Sequence, residues 1–92
     1  MRPLDYTKLS PRQRADVREQ YEAEQGGDCL YCYAPLYEDP KKWVLDTSVN
    51  LAMFPPGFLN HPVHLQHDHY TGMTEGAVHA YCNAVMWQYE GR

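Results

Sequence analysis

Val63-His64-Leu65-Gln66-His67-Asp68-His69-Tyr70-Thr71-Gly72-Met73-Thr74-Glu75-Gly76-Ala77-Val78-His79-Ala80-Tyr81-Cys82-Asn83 is the stretch on which the fold turns. Residues 63–67 fit a strand, with Val63, Leu65 and His67 on one face and His64 and Gln66 on the other, because strand side chains alternate. Residues 70–76 read as a loop, and Ala77-Val78-His79 as a short return strand. From about Ala80 to Tyr89 the pattern is helical: Ala80, Ala84, Val85 and Trp87 recur near i, i+4 and i+7, and Gly91 ends the run. Strand, loop, strand and helix are therefore expected in that order, and histidine, aspartate and asparagine crowd the stretch more than packing requires.

Two pairs of soft ligands bracket this half of the chain. Cys29-Leu30-Tyr31-Cys32 puts two thiolates on one side of a divalent metal, and His79-Ala80-Tyr81-Cys82 repeats the spacing. Together they form a Cys₃His set with no open position, which reads as a structural zinc site. Zinc binding would contribute a large part of the folding free energy. A redox Cys-x-x-Cys competes, but it wants a strand before it and a helix starting within it, whereas here a helix is expected to end just before. The plainer alternative is three small buried cysteines and a hydrogen-bonded core histidine.

The bulk numbers point the same way. Ninety-two residues make a single domain over 1–92, small enough to need a staple. Three cysteines cannot all pair, and the N-terminus lacks the apolar core of a signal peptide, so an intracellular, cytoplasmic protein with reduced thiols is expected. No apolar run reaches the roughly eighteen residues of a membrane span. The net charge of −4 disfavours phosphate binding in general. Five of the eight basic residues, however, lie in the first eighteen positions (Arg2, Lys8, Arg12, Arg14 and Arg18). They leave room for a basic edge or, equally, a solvated face of mixed charge with Glu19, Glu22 and Glu24.

Residues 1–27 read as an N-terminal helical segment preceding a zinc-bound core over 28–92. Ser10 caps, Pro11 suits the first turn, Gln13 completes a capping box, and the helix should run to about Gln25 before Gly26-Gly27. Val17 and Tyr21, with Ala15 nearby, would be its buried face. Trp43-Val44-Leu45 and Val49-Asn50-Leu51-Ala52-Met53 fit short strands, and Pro55-Pro56-Gly57 a turn. Trp43, Phe54 and Phe58 are expected in the core.

The remaining histidines and Asn83 form a second group. A histidine at a strand end has a pKa suited to a general base, and an adjacent carboxylate or amide oxygen can hold a divalent cation. Alone, the same group would also suit a second transition-metal site on His64, His67 and His69.

At these residues the chain resembles the phage recombination endonuclease VII group of ββα-metal (HNH) nucleases. That family's pattern runs Cys-x-x-Cys, then Asp-His-Asp-His-x-Thr-Gly, then Arg-Gly-Leu-Leu-Cys-x-x-Cys-Asn. The matching residues are Cys29-x-x-Cys32, Gln66-His67-Asp68-His69-Tyr70-Thr71-Gly72 and Glu75-Gly76-Ala77-Val78-His79-x-x-Cys82-Asn83. The resemblance implies an α+β, zinc-stapled ββα-metal domain with an N-terminal helix, acting as a metal-dependent DNA endonuclease. Cys29, Cys32, His79 and Cys82 would hold zinc, with His79 standing where the family has cysteine. His67 would be the general base, Asn83 a ligand of a catalytic Mg²⁺ or Mn²⁺, and His69 an assistant near the scissile phosphate. The substrate would be duplex or branched DNA. The protein would be phage- or prophage-encoded, act in the bacterial host, and work as a homodimer or within a larger phage complex.

Two positions depart from the family. Gln66 replaces the main metal-binding aspartate, and a neutral amide binds Mg²⁺ more weakly than a carboxylate. Either Asp68 or His64 takes over with a softer metal, or the domain is a non-catalytic module binding nucleic acid or protein. Glu75 replaces an arginine and removes a phosphate contact.

Overall fold

The computed structural model describes residues 3–91. Arg2, part of the expected basic edge, lies outside the described residues. The architecture is α+β: helix α1 (Pro11–Glu24), a one-turn helix α2 (Lys42–Leu45), strands β1 (Val63–His67) and β2 (Thr74–His79), and helix α3 (Ala80–Glu90). The strands form a two-stranded antiparallel sheet. No helix among the described residues is long and apolar enough to cross a membrane.

Helix α1 forms as its local sequence dictates. Ser10 Oγ accepts from the Gln13 N–H, and the Gln13 side chain accepts from the Ser10 N–H, so two orphan donors are satisfied. Gln25 closes the helix, and Gly26 and Gly27 take left-handed φ values of 66° and 81°. Val17 is buried and Tyr21 half-buried against the sheet, as the spacing predicts.

The hairpin is longer than its sequence suggests. β2 begins at Thr74, inside the stretch read as loop, because the N-terminal segment supports it from outside. Leu4 N–H donates to Thr74 Oγ1 (2.9 Å), Thr74 N–H to the Leu4 carbonyl (2.7 Å), and Tyr6 N–H to the Gly72 carbonyl (2.8 Å). Pairing runs from Val63↔His79 to Gln66↔Gly76 and then shifts to His67↔Thr74, a bulge with Glu75 as the extra residue. Alternation along β1 is blurred in burial: Val63, Leu65 and Gln66 are all buried. The reason is that α1 and α3 both pack on the two strands.

Gln25 and Gly76 join α1 to the sheet. The Gln25 amide imitates a strand: Oε1 accepts from the Ala77 N–H (2.9 Å), while Nε2 donates to the carbonyls of Ala77 and Asp28 (both 2.8 Å). A Cβ at Gly76 would lie 2.6 Å from Leu30 Cδ2 and 2.8 Å from Gln25 Oε1. Glycine is needed there for close approach.

The two short strands expected between 43 and 53 are not formed. Lys42–Leu45 is one helical turn, closed by Lys42 Nζ–Asp46 Oδ2 (2.6 Å) and Thr47 Oγ1 donating to the Trp43 carbonyl (2.8 Å). Leu51–Met53 is a 3-10 turn capped by Asn50 Oδ1, which accepts from the Ala52 N–H (3.1 Å). Polar side chains bonding to nearby backbone outcompeted β-propensity. Val44 alone of its triplet is buried, and Trp43, expected in the core, is 51% exposed. Phe54 is buried and Phe58 half-buried. The core gathers Leu36, Val44, Val63, Val78, Val85 and Met86 around the three cysteines.

Candidate metal centre and adjoining cleft

The Cys29–Cys32 turn is built by backbone bonds. Cys29 N–H donates to the Ala34 carbonyl (2.8 Å) and Tyr33 N–H to the Cys29 carbonyl (3.0 Å), while Asp28 and Pro35 bridge across. Closing so tight a loop forces Tyr33 to a φ of 67°, the one non-glycine residue at positive φ among those described. His79 ends β2 and Cys82 lies in the first turn of α3, so the second ligand pair sits at a strand–helix junction.

Cys29, Cys32, His79 and Cys82 are all buried, and their ligand atoms lie within 4.8 Å of one another. His79 Nδ1 is 3.5 Å from both Cys32 Sγ and Cys82 Sγ. A tetrahedral zinc with sulfur and nitrogen at ordinary distances has an S···N edge of roughly 3.5 Å. His79 Nε2 sits 2.8 Å from the Pro35 carbonyl and 3.0 Å from the Glu38 carbonyl. A carbonyl can only accept, so Nε2 carries the proton and Nδ1 turns its lone pair toward the sulfurs. That is the tautomer of a metal ligand.

The sulfurs are prepared for charge. Cys29 Sγ accepts from the N–H groups of Tyr31 (3.3 Å) and Cys32 (3.5 Å). The Cys82 thiol, as hydrogen-bond donor, is the main cause that brings the Cys29 thiol down to about 4, with backbone N–H groups helping and burial opposing. Cys82 is pushed up by the same bond first, then by burial and by the Cys29 charge. A divalent cation would take the place of that thiol proton, because metal binding to cysteine releases protons. All three cysteines are free thiols. No helix begins within Cys29–Cys32, so the redox arrangement lacks its framework. The residues fit zinc.

Beside this centre lies an open cleft of about 480 Å³, lined by Tyr6, Arg14, Arg18, Phe58, His61, Val63, His64, Leu65, His67, His69 and Asn83. It carries two arginines, four histidines and an asparagine, and no carboxylate. Arg14 donates from Nε and Nη2 to the Tyr6 carbonyl (3.3 and 3.1 Å), so its charge has no carboxylate partner among the described residues. Arg18 is paired with Glu22 (3.0 Å). The uncompensated positive charge that the N-terminal segment brings to this face is therefore that of Arg14, since Glu22 neutralises Arg18.

Of the expected site residues, His67, His69 and Asn83 come together here. His67 stacks on Tyr6 (centroids 3.9 Å apart, planes at 12°) and lies 4.6 Å from the His69 ring, which in turn lies 4.1 Å from Trp87. Burial lowers the pKa of His67, and the charges of His69 and Arg14 lower it further. His64 lines the same cleft, and Asn83 Nδ2 lies 3.1 Å from His64 Nδ1. The His64 ring also bonds to the Phe58 backbone, although burial still lowers its pKa.

Asp68, Gln66 and Glu75 do not line the cleft. Asp68 Oδ1 accepts from the N–H groups of Tyr70 (2.7 Å) and Thr71 (3.0 Å), holding the hairpin turn. Gln66 is 1% exposed; its Nε2 donates to the His67 carbonyl (3.0 Å), and its Oε1 is buried without a partner. Glu75 is exposed on the bulge. His64, His67 and His69 do not converge as a three-ligand set; among the described residues Cys29, Cys32, His79 and Cys82 are the group that does. Tyr6 carried no sequence signal, since its contact with His67 spans sixty-one positions and depends on how the N-terminal segment crosses β2. Comparison of the chain with protein-family models, with curated proteins and with solved structures returns no match.

Proposed function

We propose that the cleft binds a nucleic-acid phosphodiester and hydrolyses it, on a zinc-stapled ββα-metal (HNH) domain of the endonuclease VII type. One observation carries the reading: a cleft with Arg14, Arg18, four histidines and Asn83, and no carboxylate, on a chain of net charge −4. Such a surface suits an anion, and the imidazoles suit proton transfer. The substrate class, DNA in duplex or branched form, follows from the motif resemblance.

In this reading the neutral His67 ring takes a proton from water, the water oxygen attacks phosphorus, and the leaving oxygen departs with the P–O electron pair and takes a proton from solvent. Neither His67 ring nitrogen is hydrogen-bonded to another described residue, so the base is open to water. His69 lies beside it and hydrogen-bonds the phosphate, while Arg14 balances charge. A Mg²⁺ ion, which prefers oxygen ligands, does not fit a cleft without carboxylates. Turning the Asn83 amide away from His64 would free His64 Nδ1, which with Asn83 Oδ1 would suit a borderline ion such as Mn²⁺, Co²⁺, Ni²⁺ or Zn²⁺. Such an ion, when bound, would polarise a phosphoryl oxygen. Asp68 is engaged in the turn, which leaves His64 as the better successor to the family's aspartate.

The test is nicking of supercoiled plasmid by zinc-loaded protein with each of these ions and with Mg²⁺. Activity with Mn²⁺, Co²⁺ or Ni²⁺ that is lost in His67→Ala supports the reading; no cleavage with any ion sinks it. The absence of a carboxylate from the cleft also favours a second reading, a nucleic-acid-binding module without catalysis. That reading predicts salt-sensitive DNA binding by a protein that does not cut, with binding unchanged in His67→Ala and cleavage appearing in Gln66→Asp.

A further inference from the structure

We infer that Tyr6 is a positioning residue for His67, holding the base's ring plane by stacking where no hydrogen bond does so. The inference rests on the hydrolytic reading of the cleft. A histidine that abstracts a proton must present one nitrogen within narrow angular limits, and a ring nitrogen bonded to backbone or carboxylate usually sets the orientation. His79 has such an anchor. His67 has none among the described residues. What fixes it instead is packing: Tyr6 lies nearly parallel at 3.9 Å on one side and His69 lies at 4.6 Å.

Tyr6 is itself held more firmly than an exposed N-terminal aromatic would be. Its N–H donates to the Gly72 carbonyl, its carbonyl accepts twice from Arg14, and the Arg14 guanidinium lies 3.9 Å from its ring centre on the stack. Asp5 bridges to Met73, and the Asp5 carboxylate accepts from the N–H (3.0 Å) and Oγ1 (2.7 Å) of Thr7, which closes the turn carrying Tyr6. Arg14 and His67 thus both lie against the Tyr6 ring, and His69 and Trp87 continue the row with tilted rings. The stacking uses the aromatic ring and not the phenol oxygen, so phenylalanine should serve.

The experiment compares wild type, Tyr6→Phe and Tyr6→Ala, each shown to bind one zinc and to keep its circular dichroism. Tyr6→Phe should retain kcat within about twofold, and Tyr6→Ala should lower kcat by roughly tenfold or more with KM little changed, because misorientation of a base acts on the chemical step. The His67 ring protons should be displaced upfield by the Tyr6 ring in wild type and in Tyr6→Phe, and should return toward ordinary shifts in Tyr6→Ala. Equal kcat in Tyr6→Ala, a rise confined to KM, or a Phe variant as impaired as Ala overturns the inference while leaving the hydrolytic reading intact. Undisplaced His67 protons in wild type overturn it even if Tyr6→Ala fails to fold. Absence of cleavage by wild type overturns both.

Discussion

Replacing Gln25 should destabilise the domain by an amount the geometry sets. In Gln25→Leu three hydrogen bonds disappear, but their costs differ. The Ala77 carbonyl keeps the Leu30 N–H as donor (3.0 Å), and Asp28 is exposed to water. Only the Ala77 N–H, on a residue with no exposed surface, loses its sole side-chain acceptor. A buried donor left unpaired costs about 1–3 kcal/mol, so the expected loss is about 2 kcal/mol. For a domain of this size that lowers Tm by roughly 8–16 °C. Gln25→Glu should fare no better: it can accept from Ala77 but sets a carboxylate against two carbonyls that Nε2 now serves at 2.8 Å. The assay is urea and thermal unfolding at saturating zinc, with metal content checked by elemental analysis. A loss under about 0.5 kcal/mol for either variant, with one zinc still bound, would refute the idea that Gln25 acts as a surrogate strand.

Three further outcomes are expected. Stripping zinc with a strong chelator should unfold the chain, because structural zinc contributes about 10–16 kcal/mol in small domains, as much as or more than the net stability of most domains; a native amide NMR spectrum after removal would argue against the staple. Tyr33→Gly should raise stability by up to about 1 kcal/mol, since Tyr33 is largely exposed and held at a φ of 67° that glycine adopts freely; an unchanged or lower urea midpoint would count against it. Tyr37 donates to Glu22 Oε1 (2.7 Å), and that bond, with burial and the Glu22 charge, raises its pKa above the ordinary 10. Its contribution to stability is therefore present below pH 10 and is lost as pH rises through the raised value, so wild type should weaken more steeply in alkali than Tyr37→Phe, as fluorescence-monitored unfolding can show.

What could be read from the residues alone was whatever is decided locally or by repeated spacing. The Ser10–Gln13 capping box fixes α1 within one turn, and the matched Cys-x-x-Cys and His-x-x-Cys intervals bring out the metal set although fifty positions separate Cys29 from His79. Residues 42–53 were misread because distant partners add to the local side-chain bonds there: Tyr81 Oη donates to the Thr47 carbonyl (2.7 Å), Tyr89 Oη to the Ser48 carbonyl, and Asn50 N–H to Gln88 Oε1 (2.8 Å). β-propensity has no view of such bonds. The cleft was half legible. His67, His69 and Asn83 stand in the motif that carries the resemblance, but the contacts of Tyr6 and of the Arg14 guanidinium exist only once the N-terminal segment lies against β2.

Cys82 and Asn83 are consecutive on α3, and one step along a helix turns the side-chain direction by about 100°. Cys82 is pinned inside the buried cluster, so the azimuth of the whole helix is indexed from that sulfur, and Asn83 meets the cleft at the bearing this imposes. The staple is in this sense the datum from which the cleft is measured. A protein short of zinc would not merely be looser; its Asn83 would no longer face His64, and under the proposed function binding at the cleft would report zinc supply without any ligand of the staple touching the substrate.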